Sequence, residues 1–238
     1  MGTGNSNRTA VVMSWSGGKD SALALHALLR QGNVRAAALL TTVTEGYDRI
    51  SMHGVRRELL RRQAESLRLP LHEVFIPPQC VNSIYEVRME EALRHYLDQG
   101  IHRVAFGDIF LEDLRVYRET NLACLDMQAI FPLWKRDTRE LIREFNAFGF
   151  RAVTACIDPR VLDAGFAGRE LDESFFADLP PSVDPCGENG EFHTFVFDGP
   201  IFARPVEFTV GEVVQRDSFV FCDLLPGKIR EEASSTHA

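Results

Sequence analysis

Ala10-Val11-Val12-Met13-Ser14-Trp15-Ser16-Gly17-Gly18-Lys19-Asp20-Ser21 decides the fold, and Ala22-Leu23-Ala24-Leu25-His26-Ala27-Leu28-Leu29 follows it without a break. A β-prone apolar run meets two adjacent glycines, and an amphipathic helical pattern begins directly behind them. Glycine tolerates tight backbone geometry and lets a ligand approach the main chain. The first turn of a helix leaves N–H groups unsatisfied and carries the positive end of the dipole, so it can hold an anion. Lys19 adds a formal charge there, Ser16 and Ser21 add hydroxyls, and Asp20 adds a carboxylate suited to Mg²⁺. The stretch reads as a phosphate cradle. Its candidate nucleotide contacts are Ser14, Ser16, Gly17, Gly18, Lys19, Asp20 and Ser21.

Two commoner cradles do not fit. The Walker A spacing needs a glycine where Met13 stands and Ser or Thr where Asp20 stands. The dinucleotide fingerprint needs spaced glycines, whereas Gly17 and Gly18 are adjacent. The stretch resembles instead the SGGxDS loop of the PP-loop ATP pyrophosphatases. In that superfamily the loop grips the β- and γ-phosphates while a substrate atom attacks the α-phosphorus, so the resemblance implies ATP as the ligand.

Outward from this loop, strands and helices alternate. A helix is expected over 18–31, with Gly32 as its stop, then a continuous apolar strand over 34–43. A loop over 44–52 leads to His53-Gly54 and a charged helix over 55–69, ended by Pro70. Strand 71–76, helix 82–99 and strand 101–106 follow, and Gly107-Asp108 lies at the C-terminal end of the last. Helix 112–127, strand 129–134, helix 137–148 and strand 150–157 continue the pattern. Strand–helix alternation with short turns predicts a doubly wound parallel α/β sheet. Ligands of such sheets bind beyond the carboxyl ends of the strands. The loop at 16–21, Thr41-Thr42 and Gly107-Asp108 all fall there. Asp108 joins Asp20 as a candidate metal ligand, and Thr41, His53 and Gly107 join the candidate nucleotide contacts.

From about Asp158 glycines and prolines break the chain, and 192–220 alternates in the manner of β-hairpins. The domain change is placed near Phe131: a PP-loop ATP-binding domain over 1–130 and a smaller α+β substrate-binding domain over 131–238. The second chemically dense stretch lies in the latter, Asp184-Pro185-Cys186-Gly187-Glu188-Asn189-Gly190-Glu191-Phe192-His193-Thr194-Phe195. Three carboxylates, a histidine and a threonine sit among glycines that permit a tight fold. Such a group could bind Mg²⁺, polarise ammonia or orient a substrate carboxylate or amine. A polar turn before a strand is the plainer alternative.

Ser16 to Ser21, Met52-His53-Gly54, Gly107-Asp108-Ile109, Pro132-Leu133-Trp134 and Asp184 to Phe195 occur in the order of the diphthine–ammonia ligase family, also called the ATP-binding diphthamide synthetase family. The chain resembles that family from about Val11 to Phe202. The resemblance implies an adenine nucleotide alpha hydrolase-like fold and an ATP-consuming amide ligase. A carboxylate attacks the α-phosphorus, pyrophosphate leaves, and ammonia displaces AMP from the acyl adenylate. It implies Lys19, Asp108, Glu188, Glu191 and His193 as catalytic residues. ATP and Mg²⁺ are the implied cofactors, and Asp20 and Asp108 the metal ligands. One segment departs from the family pattern. Where diphthine ligases carry an Arg-Val-Glu group, this chain reads Arg115-Val116-Tyr117. The carboxylate is therefore left open between one presented on a protein, an elongation factor, and a corrinoid acid. A non-catalytic nucleotide-binding sensor is the alternative of another class.

Composition narrows the partners. In 238 residues, 45% hydrophobic and 25% charged is ordinary for a soluble globular protein. A net charge of −8 argues against general binding to nucleic acid or to a membrane surface. The first apolar run is too short for a signal or membrane span. Five cysteines (Cys80, Cys124, Cys156, Cys186, Cys222) with no C-x-x-C pair suit a reducing cytoplasm and disfavour zinc or a disulfide framework. Arg56, Arg57, Arg61 and Arg62 are read as a solvated helix face with Glu58–Arg62 and Arg61–Glu65 pairs rather than a tRNA contact. Cys186 is read as structural, because the neighbouring carboxylates would raise its pKa. A homo-oligomer is left open.

Overall fold

The computed structural model describes residues 8–50, 54–216 and 218–227. His53, expected to touch the nucleotide, lies outside the described residues.

The elements in chain order are β1 (Thr9–Ser14), α1 (Lys19–Arg30), β2 (Val34–Thr44), β3 (Arg49–Ile50), α2 (Arg57–Leu67), β4 (Leu71–Ile76), α3 (Asn82–Leu97), β5 (Arg103–Ala105), α4 (Glu112–Ala123), β6 (Gln128–Ile130), α5 (Thr138–Ala147) and β7 (Arg151–Ile157). A short 3-10 turn at Ala164–Phe166, α6 (Glu173–Asp178), β8 (Phe192–Asp198), β9 (Phe208–Arg216) and β10 (Phe219–Pro226) follow among the described residues.

Two sheets result. In the first, β4, β2, β1, β5 and β6 run parallel in that order. From β1 the chain steps outward through β2 to β4, then crosses back to β5 and β6 on the other side. The order therefore reverses between β1 and β5, and a crevice opens beyond their carboxyl ends. This is the doubly wound parallel sheet expected from the alternation. Val11, Val12 and Met13 are all buried, as a strand covered on both faces requires. The two residues of β3 pair antiparallel with Val43 and Thr44, past the point where β1 ends opposite Leu40. They rim the crevice on the β2 side.

The second sheet is antiparallel, in the order β8-β7-β10-β9. Only β9 and β10 form the hairpin expected of 192–220; β8 pairs with β7 instead. Strand β6 is shorter than the expected 129–134. It ends at Ile130, and Pro132-Leu133-Trp134 forms a turn, because proline has no N–H to continue a ladder. Helix α4 likewise stops at Ala123, short of 127.

Apolar burial divides by sheet face. One core joins Leu25 and Leu28 of α1, Leu59 and Leu60 of α2, Phe145 of α5, and Phe192 and Phe195 of β8. The other gathers Val12, Leu40, Val104, Leu93 of α3 and Leu122 of α4. The second sheet thus packs through the same apolar core as α1 and α2, which brings β8 against the start of α1.

Candidate active site

Beyond β1 and β5 lies a cleft of about 710 Å³. Ser14, Ser16, Gly18, Lys19, Asp20 and Ser21 line one wall, and Thr41, Thr42 and Ile50 another. Gly107, Asp108 and Arg118 close a third side, and Gly187, Glu188 and His193 approach from the second sheet. The two chemically dense stretches of the sequence therefore share one cavity.

Local rules shape the loop. Gly17 sits at φ +80°, a left-handed conformation that disfavours a side chain, and a Cβ there would come within 2.8 Å of Gln63 Oε1. Gly107 allows contact of another kind: a Cβ on it would strike the Asp20 and Ser21 backbone at 2.8–2.9 Å. The phosphate loop thus rests directly on the turn after β5. Ser16 Oγ accepts from the Gly18 N–H at 3.2 Å, and Ser21 Oγ donates to the Gly18 carbonyl at 2.9 Å. Helix α1 has no side-chain cap on Gly18, as an anion-binding helix start requires. One of its donors is nonetheless taken: the Lys19 N–H bonds Thr194 Oγ1 at 3.0 Å.

Lys19 is 3% exposed. Its ammonium donates to Asp20 Oδ2 at 2.8 Å and to the Cys186 carbonyl. Burial works against that charge, but Asp20 and the other acidic neighbours outweigh it and hold the Lys19 pKa above its ordinary value. The Lys19 side chain is thereby aimed along the loop by a carbonyl of the second sheet's unit.

Glu188 crosses the cleft and accepts from the backbone N–H groups of Ile109 at 2.7 Å and Phe110 at 3.3 Å. Burial pushes its pKa up to about 7 despite those donors. Burial, and then the Lys19 charge, push His193 down to about 4, so its imidazole is neutral at pH 7. Asp108 contacts Arg118, with Oδ1 accepting from Nη2 at 3.2 Å.

Glu191 departs from the catalytic expectation. Its carboxylate, 6% exposed, accepts from the Asp184 N–H at 3.0 Å and from the backbone and side-chain amides of Asn189 at 2.9 and 3.0 Å. It does not line the cleft; it ties the 184–191 turn together and so presents Glu188. Cys186 is buried, and burial pushes its thiol pKa up, which agrees with a structural role. Asp20 and Asp108 face the same cleft, each against a cation. Among the described residues no cluster of three or more His, Cys, Asp or Glu is placed to hold a metal ion.

Gln63 is a functional residue that sequence reasoning missed. This side chain of α2 is fully buried; its amide donates to the Gly17 carbonyl at 2.9 Å and the Val196 carbonyl at 2.6 Å, and its carbonyl accepts from Trp15 Nε1 at 2.9 Å. It joins the phosphate loop to β8, and the Val196 N–H adds a bond to the Gly17 carbonyl at 2.9 Å. Within a charged helix, one glutamine carries no mark of such a partner set. Gln63→Leu would take this partner from the Trp15 indole N–H and the Val196 carbonyl, at about 1–3 kcal/mol for each group left unpaired, while the Gly17 carbonyl keeps the Val196 N–H. A chemical denaturation series is expected to show the midpoint lowered by that order, with the nucleotide affinity falling too; an unchanged midpoint would remove this role.

The arginines of α2 and its approach are engaged. Arg56 meets Asp223 at 2.7 Å, Arg57 and Arg61 meet Glu73 at 2.6 and 2.9 Å, and Arg62 meets Glu58. The expected Glu58–Arg62 pair forms, whereas Arg61 turns to Glu73 rather than Glu65. None of the helices formed by the described residues is long and apolar enough to cross a membrane.

The family models for the diphthamide synthase N-terminal and C-terminal domains match residues 8–124 and 137–225. The chain is 26% identical over 228 residues to the diphthine–ammonia ligases of Bos taurus and Homo sapiens, covering 87% of this chain and 85% of each relative. It is 26% identical over 229 residues to that of Schizosaccharomyces pombe, with 88% of this chain covered but only 38% of that protein. A solved structure of a U34-tRNA thiolase from Methanococcus maripaludis aligns with 59% of this chain and 56% of its own at a TM-score of 0.36 and 18% identity.

Proposed function

The chain belongs to the diphthamide synthase family, and from that membership and the cleft we propose that it is an ATP-dependent amide ligase. It adenylates a carboxylate, releases pyrophosphate, and forms the amide with ammonia. The observation that carries the reading is the meeting of Lys19 on the phosphate loop and Glu188 of the second unit in one cleft. Residues 1–130 are read as the ATP-binding domain and 131–238 as the substrate-binding domain.

In this reading Ser14, Ser16, Gly17, Gly18, Ser21, Thr41 and Gly107 form the nucleotide cradle. A carboxylate oxygen bonds to the α-phosphorus as the bond to the β-phosphate oxygen breaks, and the electron pair leaves with pyrophosphate. Lys19, desolvated and fixed, offsets the charge that grows there. Ammonia then attacks the acyl carbon and AMP departs with the electron pair. Glu188, with a pKa near the working pH, takes the proton that the nitrogen loses. Neutral His193, which lines the same cleft, serves as a hydrogen-bonding partner for the incoming amine. Glu191 acts through the turn that presents Glu188.

Mg²⁺ fits this donor set. Two carboxylates, Asp20 and Asp108, face the cleft, and such ions are commonly held by one or two carboxylates together with substrate phosphates. The ion would supply charge neutralisation to the departing pyrophosphate. The substrate carboxylate is assigned to diphthine, presented on an elongation factor, by likeness to the diphthine–ammonia ligases. The unpaired cysteines among the described residues suit a cytoplasmic setting.

The test is product analysis with ATP, Mg²⁺, ammonium and diphthine-bearing elongation factor. AMP and pyrophosphate in equal amounts with the amide are expected. ADP and phosphate, or no carboxylate-dependent AMP, would overturn the proposal.

A further inference from the structure

Two anionic ligands must share the cleft if the amidation reading holds, the triphosphate and the substrate carboxylate. Among the described residues, its wall offers two side chains with lasting positive charge, Lys19 and Arg118, since His193 is neutral. Lys19 is committed to the phosphate loop, with two donors already fixed by Asp20 and the Cys186 carbonyl. Arg118 stands on α4, on the side of the cleft that Gly107 and Asp108 close.

Its setting is built. The guanidinium lies over the Phe106 ring at 4.3 Å, and it donates to the hydroxyl oxygen of Tyr85 on α3. Nη2 donates to Asp108 Oδ1, while Nε lies 2.8 Å from Asp108 Oδ2. That second contact is electrostatic only, because the two atoms are buried yet not aligned, and neither has a hydrogen-bond partner. The Arg118 side chain remains 22% exposed, against 10% for Asp108. Stacking and the carboxylate fix the plane of the guanidinium, and its five donors exceed the acceptors that surround it. Leu111, Leu114 and Met89 add apolar surface to the lining of the same cleft. An oriented, partly desolvated guanidinium with spare donors suits a carboxylate, which it can grip with two parallel bonds.

We propose that Arg118, oriented by Asp108, Phe106 and Tyr85, anchors the carboxylate substrate on the side of the cleft formed by α4 and the turn after β5. This rests on the amidation reading and adds to it a residue that decides which acid is accepted. Tyr85 acts through Arg118 and is a positioning residue.

The test compares Arg118→Met, Arg118→Lys and Tyr85→Phe with the unaltered protein, all checked for unchanged thermal melting. ATP affinity is measured by calorimetry without the acid, and AMP formation is followed against diphthine-bearing elongation factor. Loss of a charged hydrogen-bonding pair predicts a KM for that substrate raised about 10- to 100-fold in Arg118→Met. ATP affinity should stay within about twofold, since the phosphates are held by the 16–21 loop and the start of α1 and not by Arg118. Arg118→Lys should recover part of the loss, because it keeps the charge and not the fork. Tyr85→Phe should raise KM several-fold with kcat little changed. An unchanged KM in Arg118→Met, or weakened ATP binding in its place, overturns the assignment while leaving amidation standing. No AMP from the unaltered protein removes the amidation reading and this assignment with it.

Discussion

Lys19→Ala is expected to lower the rate of AMP formation at least about 10²- to 10³-fold, the effect of deleting one oriented group that stabilises developing charge. The ammonium is 3% exposed and its position is fixed by Asp20 and the Cys186 carbonyl. It therefore needs no reorganisation when negative charge gathers on the departing pyrophosphate. In water the same charge would be screened; in the cleft it acts at a lower dielectric. The fold should survive, because the Asp20 side chain keeps 29% of its surface exposed and water can replace the lost partner. Circular dichroism and melting would confirm that, and the loss of turnover would then belong to chemistry. Retention of full turnover would sink the assignment of Gly17 to Ser21 as the phosphate cradle.

Glu188→Gln should stop amide formation while leaving ATP binding within about twofold. Glutamine keeps an oxygen to accept from the Ile109 N–H, so the turn over the cleft stays in place, but it cannot take a proton. Loss of a general base costs about 10²- to 10⁴-fold. The pH profile supplies an independent reading. With a pKa of about 7, Glu188 is protonated below that pH and cannot serve as base. At constant free ammonia, the amidation rate should rise about tenfold per unit up to pH 7 and level above it, and the glutamine variant should lack that inflection. The sign for stability is opposite. A carboxyl whose pKa is raised in the folded state favours folding while protonated, and that contribution disappears as pH rises through 7. A rate profile without an inflection near 7 in the unaltered protein would remove Glu188 from the base role.

Several features of the site were legible because they follow from local rules. Val11 to Met13 had to be a buried strand, and the glycines behind them had to turn tightly before an amphipathic helix. Gly107 and Asp108 fell at a strand end by the same periodicity. Other features depend on partners distant in the chain. Pro132 shortened β6, and β8 pairs back with β7, more than thirty positions upstream, rather than with β9 in a hairpin. Glu191 reads like Glu188 in the sequence. Only the folded turn shows that one carboxylate is consumed by the amides of Asp184 and Asn189 while the other reaches Ile109. Gln63 and Arg118 carried no signal at all, since each owes its role to the residues brought around it.

Local sequence specifies the strand–loop–helix cradle, the doubly wound order that places strand ends on one edge, and the two chemically dense stretches. Each rests on backbone preference and on the period of apolar residues, which act over a few positions. Tertiary structure alone decided that Thr194 and Cys186 grip Lys19, that Gln63 fastens the loop to β8, and that Glu188 and Arg118 face one cavity. Those contacts join residues up to 175 positions apart, and what selects them is burial: a polar group removed from water must find its partner wherever the packed core places one.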